Sequence, residues 1–333
     1  MAARPLDAGK LPAALLRELL AGAAPPPPEI LLPPRIGEDA GVVEVTGGAL
    51  IVASDPVTLT GHGVGAHAVV VNANDVAVMG ARPRWFLATV LLPLATGEED
   101  VRRLFAEMHG ALERLDIALL GGHTEVTGAV TQPVVVGQML GLREDGRFVV
   151  TGGVGPGDVV LQIGPAPVEG AAVLALEAAE RLGGVSPELR ERARQALGDP
   201  GISVVAPALR AAALGAKALH DPTEGGLSAG LHELAEASGL KIRLEPAGAL
   251  WFEPGRAICA ELGIDPWGVL ASGTLLAAFA EDRASAARAA LEAEGYSLVP
   301  IGRAEDGTGV EWADGRALPR YERDEVIRAL GGL

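Results

Sequence analysis

The sequence predicts an α+β (α/β) protein of two domains, and three observations predict it. The chain has 333 residues, room for about two domains at roughly 150 residues each. Both halves mix amphipathic helical runs with short apolar, β-branched runs, as mixed helix and sheet layers require. Between the halves lies TGGVGPGD, residues 151–158, whose Gly and Pro content marks a boundary. The expected domains are therefore 1–150 and 151–333.

The elements follow in order. Residues 11–20 read as a short amphipathic helix, and Arg17 and Glu18 within it argue against a signal peptide. Pro25 to Pro28 form a stiff spacer. Residues 41–45 and 49–53 read as the two strands of a hairpin that turns at Gly47-Gly48. Residues 65–80 are an apolar helical run that stops before Ala81-Arg82-Pro83, and 85–92 is a strand. The clearest helix is 98–115, where Val101, Leu104, Phe105, Met108, Leu112 and Leu115 recur at three- and four-residue steps. A strand at 117–120 runs into an expected turn at Gly121-Gly122, and 134–142 is another strand. Beyond the boundary come strand 159–163, helices 168–182, 187–197 and 203–218, the loop 220–226, and helix 227–238. Strands at 241–245, 274–280 and 297–303, with helices between them, complete the chain.

Composition narrows the function. With 43 acids against 27 bases the net charge is -16, which repels DNA, RNA and anionic lipid. Nucleotides are still admissible, because bound Mg²⁺ bridges acidic side chains to phosphates. Hydrophobic residues make up 49% and charged residues 21%, so a packed core is expected. The single cysteine, Cys259, leaves no disulfide framework or zinc ribbon within one chain and favours a reducing, cytoplasmic setting. No run of 18 apolar residues is free of charge, so no membrane span is expected.

The hairpin carries the sharpest chemical inference. With a turn at Gly47-Gly48, cross-strand partners sum to about 95. Ala40 then faces Asp55, and Asp39 and Asp55 share the open end of the hairpin. Two carboxylates about 5 Å apart repel by roughly 3 kcal/mol at an effective dielectric of about 20. A cation removes that cost, and Mg²⁺ suits a site of one or two carboxylates completed by phosphate and water. The alternative is two solvated strand-end aspartates, with Glu38 nearby. The apolar helix at 65–80 carries Asn72, Asn74 and Asp75, and Asn72 shares a face with Asp75. A buried Asp is costly unless paired, so Asp75 is either a third metal ligand or a structural cap.

Two further segments stand out. Gly121-Gly122-His123-Thr124-Glu125 follows an apolar strand. Paired glycines let a backbone approach a ligand, and His123 and Glu125 point the same way in an extended chain. The alternative is a tight turn with an exposed histidine. Asp221-Pro222-Thr223-Glu224-Gly225-Gly226 leads into a helix, whose free N–H groups favour an anion. Ordinary N-capping by Thr223 or Asp221 is the alternative. The chain has no GxxxxGK[ST], GxSxG, HExxH or CxxC, and no GxGxxG sits between a strand and a helix.

Together these segments resemble the aminoimidazole-ribonucleotide (AIR) synthetase superfamily, which includes thiamine-monophosphate kinase, selenophosphate synthetase and the hydrogenase maturation protein HypE. The matching segments are GEDAGVV (37–43), ASDPVT (53–58), VNANDVAVMGARP (71–83), GGHTEVT (121–127) and DPTEGGLSAGLHELAEASG (221–239). They occur in the family's order across most of the chain, and the last is most similar to HypE. The resemblance implies an N-terminal domain whose strands pair with those of a second subunit into a β-barrel, so a homodimer. It implies a C-terminal α+β domain and ATP bound near the dimer interface. It places metal-binding acids at Asp39, Asp55 and Asp75, and makes Asn72, Gly121, Gly122, His123, Thr124, Asp221, Thr223, Gly225 and Gly226 candidate nucleotide or substrate contacts. Kinase relatives carry Asp where this chain has His123, and Glu125 is the candidate substitute ligand.

The departures bear on activity. HypE-type members end in a reactive cysteine within a PRxC tail. This chain reads Leu318-Pro319-Arg320-Tyr321 and continues to Leu333 without a cysteine. On that ground the expectation is that it does not perform HypE-type carbamoyl-to-cyanide chemistry. The Gly-rich segment with catalytic Cys or Lys expected of a selenophosphate synthetase is also missing. The expected function is a ligase- or kinase-type enzyme that activates or phosphorylates a small substrate with Mg-ATP, its catalytic residues unassigned. Alternatives are a nucleotide-binding regulatory or scaffold dimer without turnover, and a kinase like the thiamine-monophosphate enzyme.

Overall fold

The computed structural model describes residues 13–21, 26–58, 63–245, 248–321 and 323–331. They divide into two units: residues 26–33 with 39–149, and the remainder, which joins α1 (Ala13–Ala21) and residues 34–38 to the chain from Val150 onward.

The first unit is a seven-stranded sheet built from β1 (Ile30–Leu32), β2 (Gly41–Val45), β3 (Gly48–Ala53), β4 (Pro56–Val57), β5 (Pro83–Pro93), β6 (Ala118–Thr127) and β7 (Val134–Arg143). The strand order is β1-β2-β3-β7-β5-β6, with β4 also paired to β7. Neighbours are antiparallel except β5 and β6. That parallel pair needs a crossover, which α3 (Glu98–Leu115) supplies. α2 (Val64–Val78) packs against α3 and β7. α3 has the bounds its periodicity predicts. Its first turn carries Glu98, Glu99 and Asp100 and its last carries Arg114, matching the helix dipole at both ends.

The hairpin of β2 and β3 turns one residue earlier than expected, at Thr46-Gly47. Partners run from Val45↔Gly48 to Gly41↔Val52. Extending that ladder sets Asp39 opposite Ser54 and beside Asp55, instead of setting Ala40 opposite Asp55. Gly47 takes the left-handed turn conformation with φ 94. Gly48 belongs to the ladder, where a Cβ would lie 2.1 Å from the Arg143 carbonyl oxygen.

The expected turn at Gly121-Gly122 is absent, because β6 runs straight through both glycines. Its register to β5 shifts between Phe86↔Leu119 and Leu87↔Gly121, so Leu120 bulges. A Cβ on Gly122 would sit 1.9 Å from the Ala88 carbonyl oxygen. That glycine is required by the approach of two strands.

The second unit is a six-stranded sheet in the order β13-β10-β12-β8-β11-β9. Its strands are β8 (Val159–Ile163), β9 (Ala218–His220), β10 (Lys241–Leu244), β11 (Leu275–Phe279), β12 (Leu298–Glu305) and β13 (Gly309–Glu311). Its helices after α1 are α4 (Glu169–Glu177), α5 (Pro187–Gln195), α6 (Val205–Ala213), α7 (Gly226–Ser238), α8 (Glu253–Leu262), α9 (Glu281–Ala293) and α10 (Glu325–Ala329). The helix expected over 203–218 is shorter, because Gly215 with φ 89 follows its last turn and the chain re-enters the sheet as β9, paired to β11. Leu227, Leu231 and Leu234 of α7 join Val160, Ile242, Leu276 and Ile301 in one buried cluster. α7 is therefore fixed by its apolar face, with its N-terminal turn following directly on the loop at 221–225.

Candidate functional site

In the first unit the site is organised around Asp55, in the two-residue gap between β3 and β4. Asn72 of α2 is fully buried. Its Oδ1 accepts from the Asp55 N–H at 2.8 Å, and its Nδ2 donates to the Asp55 carbonyl at 3.1 Å and to the Ala68 carbonyl at 2.8 Å. The Gly137 N–H donates to the same Asp55 carbonyl at 3.0 Å. Ser54 Oγ donates to the Gly137 carbonyl at 2.9 Å. The backbone of Asp55 is thus pinned at both polar groups while the residue is exposed. Asp75, one turn beyond Asn72 on α2, is only 6% exposed, and Asp39 is half-buried just before β2.

These donors are all carboxylate oxygens, the ligand type of Mg²⁺ and not of Zn²⁺. Among the described residues no group of three or more His, Cys, Asp or Glu is placed to hold a metal ion, so Asp39, Asp55 and Asp75 do not form a ready-made three-carboxylate cluster. Mg²⁺ takes one or two carboxylates and completes its shell with phosphates and water.

His123 and Glu125 are exposed on β6 and approach each other at 3.4 Å, Nε2 to Oε2. The pairings place Pro56, Val136, Thr89 and His123 in one row across four strands. Three strand spacings come to about 14 Å. Glu125 therefore lies outside the ligand shell of an ion held by Asp55, contrary to its expected place in one cluster with Asp39, Asp55 and Asp75. Gly121 and Thr124 are exposed on the same strand.

In the second unit the loop before α7 differs from the open anion site expected. The Gly225 N–H donates to Asp324 Oδ2 at 2.7 Å, and the Gly226 N–H donates to the Thr223 carbonyl at 3.0 Å. The other oxygen of Asp324 accepts from the Val326 N–H at 2.8 Å. Burial pushes the Asp324 carboxyl up to about 7, against the pull of its backbone donors. Two N–H groups expected to meet a ligand are thus satisfied from within the chain. Gly225 and Gly226 have φ 82 and 68, and a Cβ on Gly226 would lie 2.6 Å from the Trp267 carbonyl oxygen. Packing accounts for that glycine. Asp221 is buried, and just before it His220 Nε2 meets Glu233 Oε2 at 3.0 Å.

Asp324, Gly137 and the His220–Glu233 pair escaped the sequence reading. Asp324 carries a local signal, since Asp ahead of the Val326-Ile327 run is an N-cap signature. Its bond to Gly225 has none. An open cavity of about 460 Å³ is lined by Arg82, Arg84, Trp85 and Asp116, among others. It contains none of the candidate residues, and Arg82 is committed to Asp116 at 2.9 Å. Cys259 is buried, and desolvation, reinforced by Asp265, Glu325 and Asp324, pushes its thiol up to about 12. No helix among the described residues is long and apolar enough to cross a membrane.

Two mixed-sheet units, the first bearing Asp75 on a buried helix and Asp39 and Asp55 beside its sheet strands, define a two-domain α+β protein. The chain belongs to the AIR synthase related proteins: residues 37–143 match their N-terminal domain and residues 155–314 their C-terminal domain. It is 34% identical over 254 residues to carbamoyl dehydratase HypE of Rhodobacter capsulatus, covering 75% of this chain and 72% of that protein. Its fold is similar to a solved HypE–HypF complex, at 24% identity and TM-score 0.76 over 92% of this chain and 100% of that one. It is also similar to hydrogenase maturation protein HypE in complex with ATP, at 24% identity and TM-score 0.66 over 89% and 92% of the two chains. The expectation that HypE-type activity is excluded does not stand. It rested on one missing tail cysteine, whereas curated relatives matched across most of their length are carbamoyl dehydratases.

Proposed function

We propose that this protein is an ATP-dependent enzyme that dehydrates a carbamoyl or carboxamide group. The amide oxygen takes the γ-phosphoryl group of ATP and ADP leaves. Loss of phosphate and a proton from the activated group then gives a nitrile. The net change is amide plus ATP to nitrile, ADP, phosphate and a proton, so the amide oxygen departs in the phosphate. A Mg²⁺ ion held by Asp55 with Asp75 or Asp39 would neutralise charge on the transferring phosphoryl group. The family, the carbamoyl dehydratase relatives and the ATP-bound HypE structure support this reading. The observation that carries it is the exposed residue Asp55, whose backbone is pinned at both its N–H and its C=O. His123 and Thr124, exposed on β6, are the side chains of the first unit proposed to meet nucleotide or substrate. Cys259 is an unsuitable carrier, since a buried thiol held near 12 offers little thiolate.

The test is incubation with Mg-ATP and a panel of carbamoyl and carboxamide compounds, with ADP and nitrile both quantified. ADP and nitrile should appear in equal amounts. Asp55→Asn should lower turnover by about 100-fold or more with an unchanged melting temperature. ADP release without nitrile would replace the dehydratase reading with a kinase. No amide-dependent ADP release from any compound would sink it.

A further inference from the structure

Asn72 stands out because all its N–H capacity is spent inside the fold. A neutral side-chain amide has two N–H donors and one carbonyl oxygen. Both donors are used, on the Asp55 and Ala68 carbonyls, and the oxygen accepts from the Asp55 N–H. The residue is fully buried, so no nucleotide reaches it. Asp55 lies in the gap between β3 and β4, where the ladder offers its N–H no strand partner. A buried backbone group left unpaired is costly, and Asn72 supplies a peptide-like amide in place of a neighbouring strand. Pro56 restricts Asp55 to extended conformations from the other side. The sheet is shaped for this contact, because a Cβ at Gly137 would lie 2.3 Å from Asn72 Nδ2.

We propose that Asn72, seated against Gly137, is a positioning residue that aims the Asp55 carboxylate at its metal ion by holding the Asp55 backbone, and is not itself a nucleotide contact. The inference rests on the reading that Asp55 binds Mg²⁺. With the clamp intact, the Asp55 backbone is held at both its N–H and its C=O. Without the clamp the segment 54–56 gains backbone freedom, and each ion bound must remove it again. Supporting partners of metal ligands typically change metal affinity by about 10- to 100-fold.

The experiment measures the Mg²⁺ concentration that half-saturates binding of a non-hydrolysable ATP analogue, and the affinity of that analogue in EDTA. The proteins are the wild type, Asn72→Ala, Asn72→Ser, Asp55→Asn, and Asn72→Ala with Asp55→Asn. Asn72→Ala should raise the half-saturating Mg²⁺ concentration about tenfold or more and leave the EDTA affinity within about twofold. Asn72→Ser keeps one hydrogen-bonding group and should fall between. In the Asp55→Asn background the Asn72→Ala change should have no further effect on Mg²⁺ dependence, because its only route is through Asp55. Additive effects, or an unchanged Mg²⁺ requirement in the folded Asn72 variants, overturn the proposal. So does an equal loss of affinity in EDTA, which would make Asn72 a nucleotide contact. If both Asn72 variants fail to fold, the residue is core structure and the proposal is likewise overturned. If Asp55→Asn alone leaves Mg²⁺ dependence unchanged, the metal reading of the site has failed and the positioning role falls with it.

Discussion

Asp324 caps two helices at once, with one oxygen on Gly225 at the start of α7 and the other on Val326 in α10. Such a carboxylate would normally titrate low, since backbone N–H donors favour its charge. Burial outweighs them here and, with Glu224 nearby, raises it from 3.8 to about 7. The sign for stability follows. Between those two values the folded chain holds a proton that the unfolded chain has released, so this group's contribution to stability falls as pH rises through the window. Above about 7 the loss is complete. Asp324→Asn removes that titration. Thermal unfolding of the variant should show a flatter decline between pH 4.5 and 7 than the wild type. At pH 5 it should also show a loss of about 1 kcal/mol from a weakened cap. Identical pH slopes in the two proteins would show that Asp324 does not titrate in the window.

At the scale of elements, α2 depends on how closely its backbone can approach α3. A Cβ on Gly65 would lie 2.2 Å from the Leu104 carbonyl oxygen and 3.1 Å from the Met108 nitrogen. Gly65→Ala gains about 1 kcal/mol of helix propensity but must push apart two backbones. The expected net result is a loss of about 1–3 kcal/mol, read as a lower urea midpoint with an unchanged slope. A stabilised variant would mean that the two helices separate freely. α3 was legible to the residue because period, acidic start and basic end agree within one segment. The β2–β3 hairpin was legible, but its turn slipped, because two adjacent glycines compete for one left-handed position. β6 was cut short at Gly121-Gly122, since the close approach of Ala88 is a tertiary fact with no local mark. β9 was hidden within a helical run of alanines. In the site, Asp39, Asp55, Asp75 and Asn72 stood out as polar residues at strand ends or in an apolar helix. The clamp of Asn72 on Asp55 and the cap of Asp324 on Gly225 join distant residues, and no spacing rule reaches them.

At the scale of the whole molecule, the first unit presents two kinds of surface that a single copy leaves unused. Among the described residues β6 pairs with β5 alone, and every position in it except Thr127 is exposed. It carries Leu119, Leu120 and Val126 at 40%, 58% and 55% exposure. An unpaired edge of ten residues with that apolar content invites a partner. One face of the sheet buries Val135, Gly137, Met139 and Gly141 toward α2. The alternate positions Leu50, Val52, Leu87, Leu91, Val136 and Leu140 form a second, half-buried apolar face. We expect a second copy of the same unit as the occupant of this surface, since a two-fold contact presents edge to edge and face to face. Light scattering at micromolar concentration should then give the mass of two 33.9 kDa chains. Leu120→Arg would appear twice in such an interface, and should raise the dissociation constant about tenfold or more by setting like charges together. Its side chain is exposed in the single chain, so the stability of the isolated monomer should hold. Each chain carries a net charge of -16, so added salt should tighten the dimer by screening repulsion between the copies. A monomeric wild type, or a Leu120→Arg variant that dimerises as well as the wild type, would remove β6 from the interface.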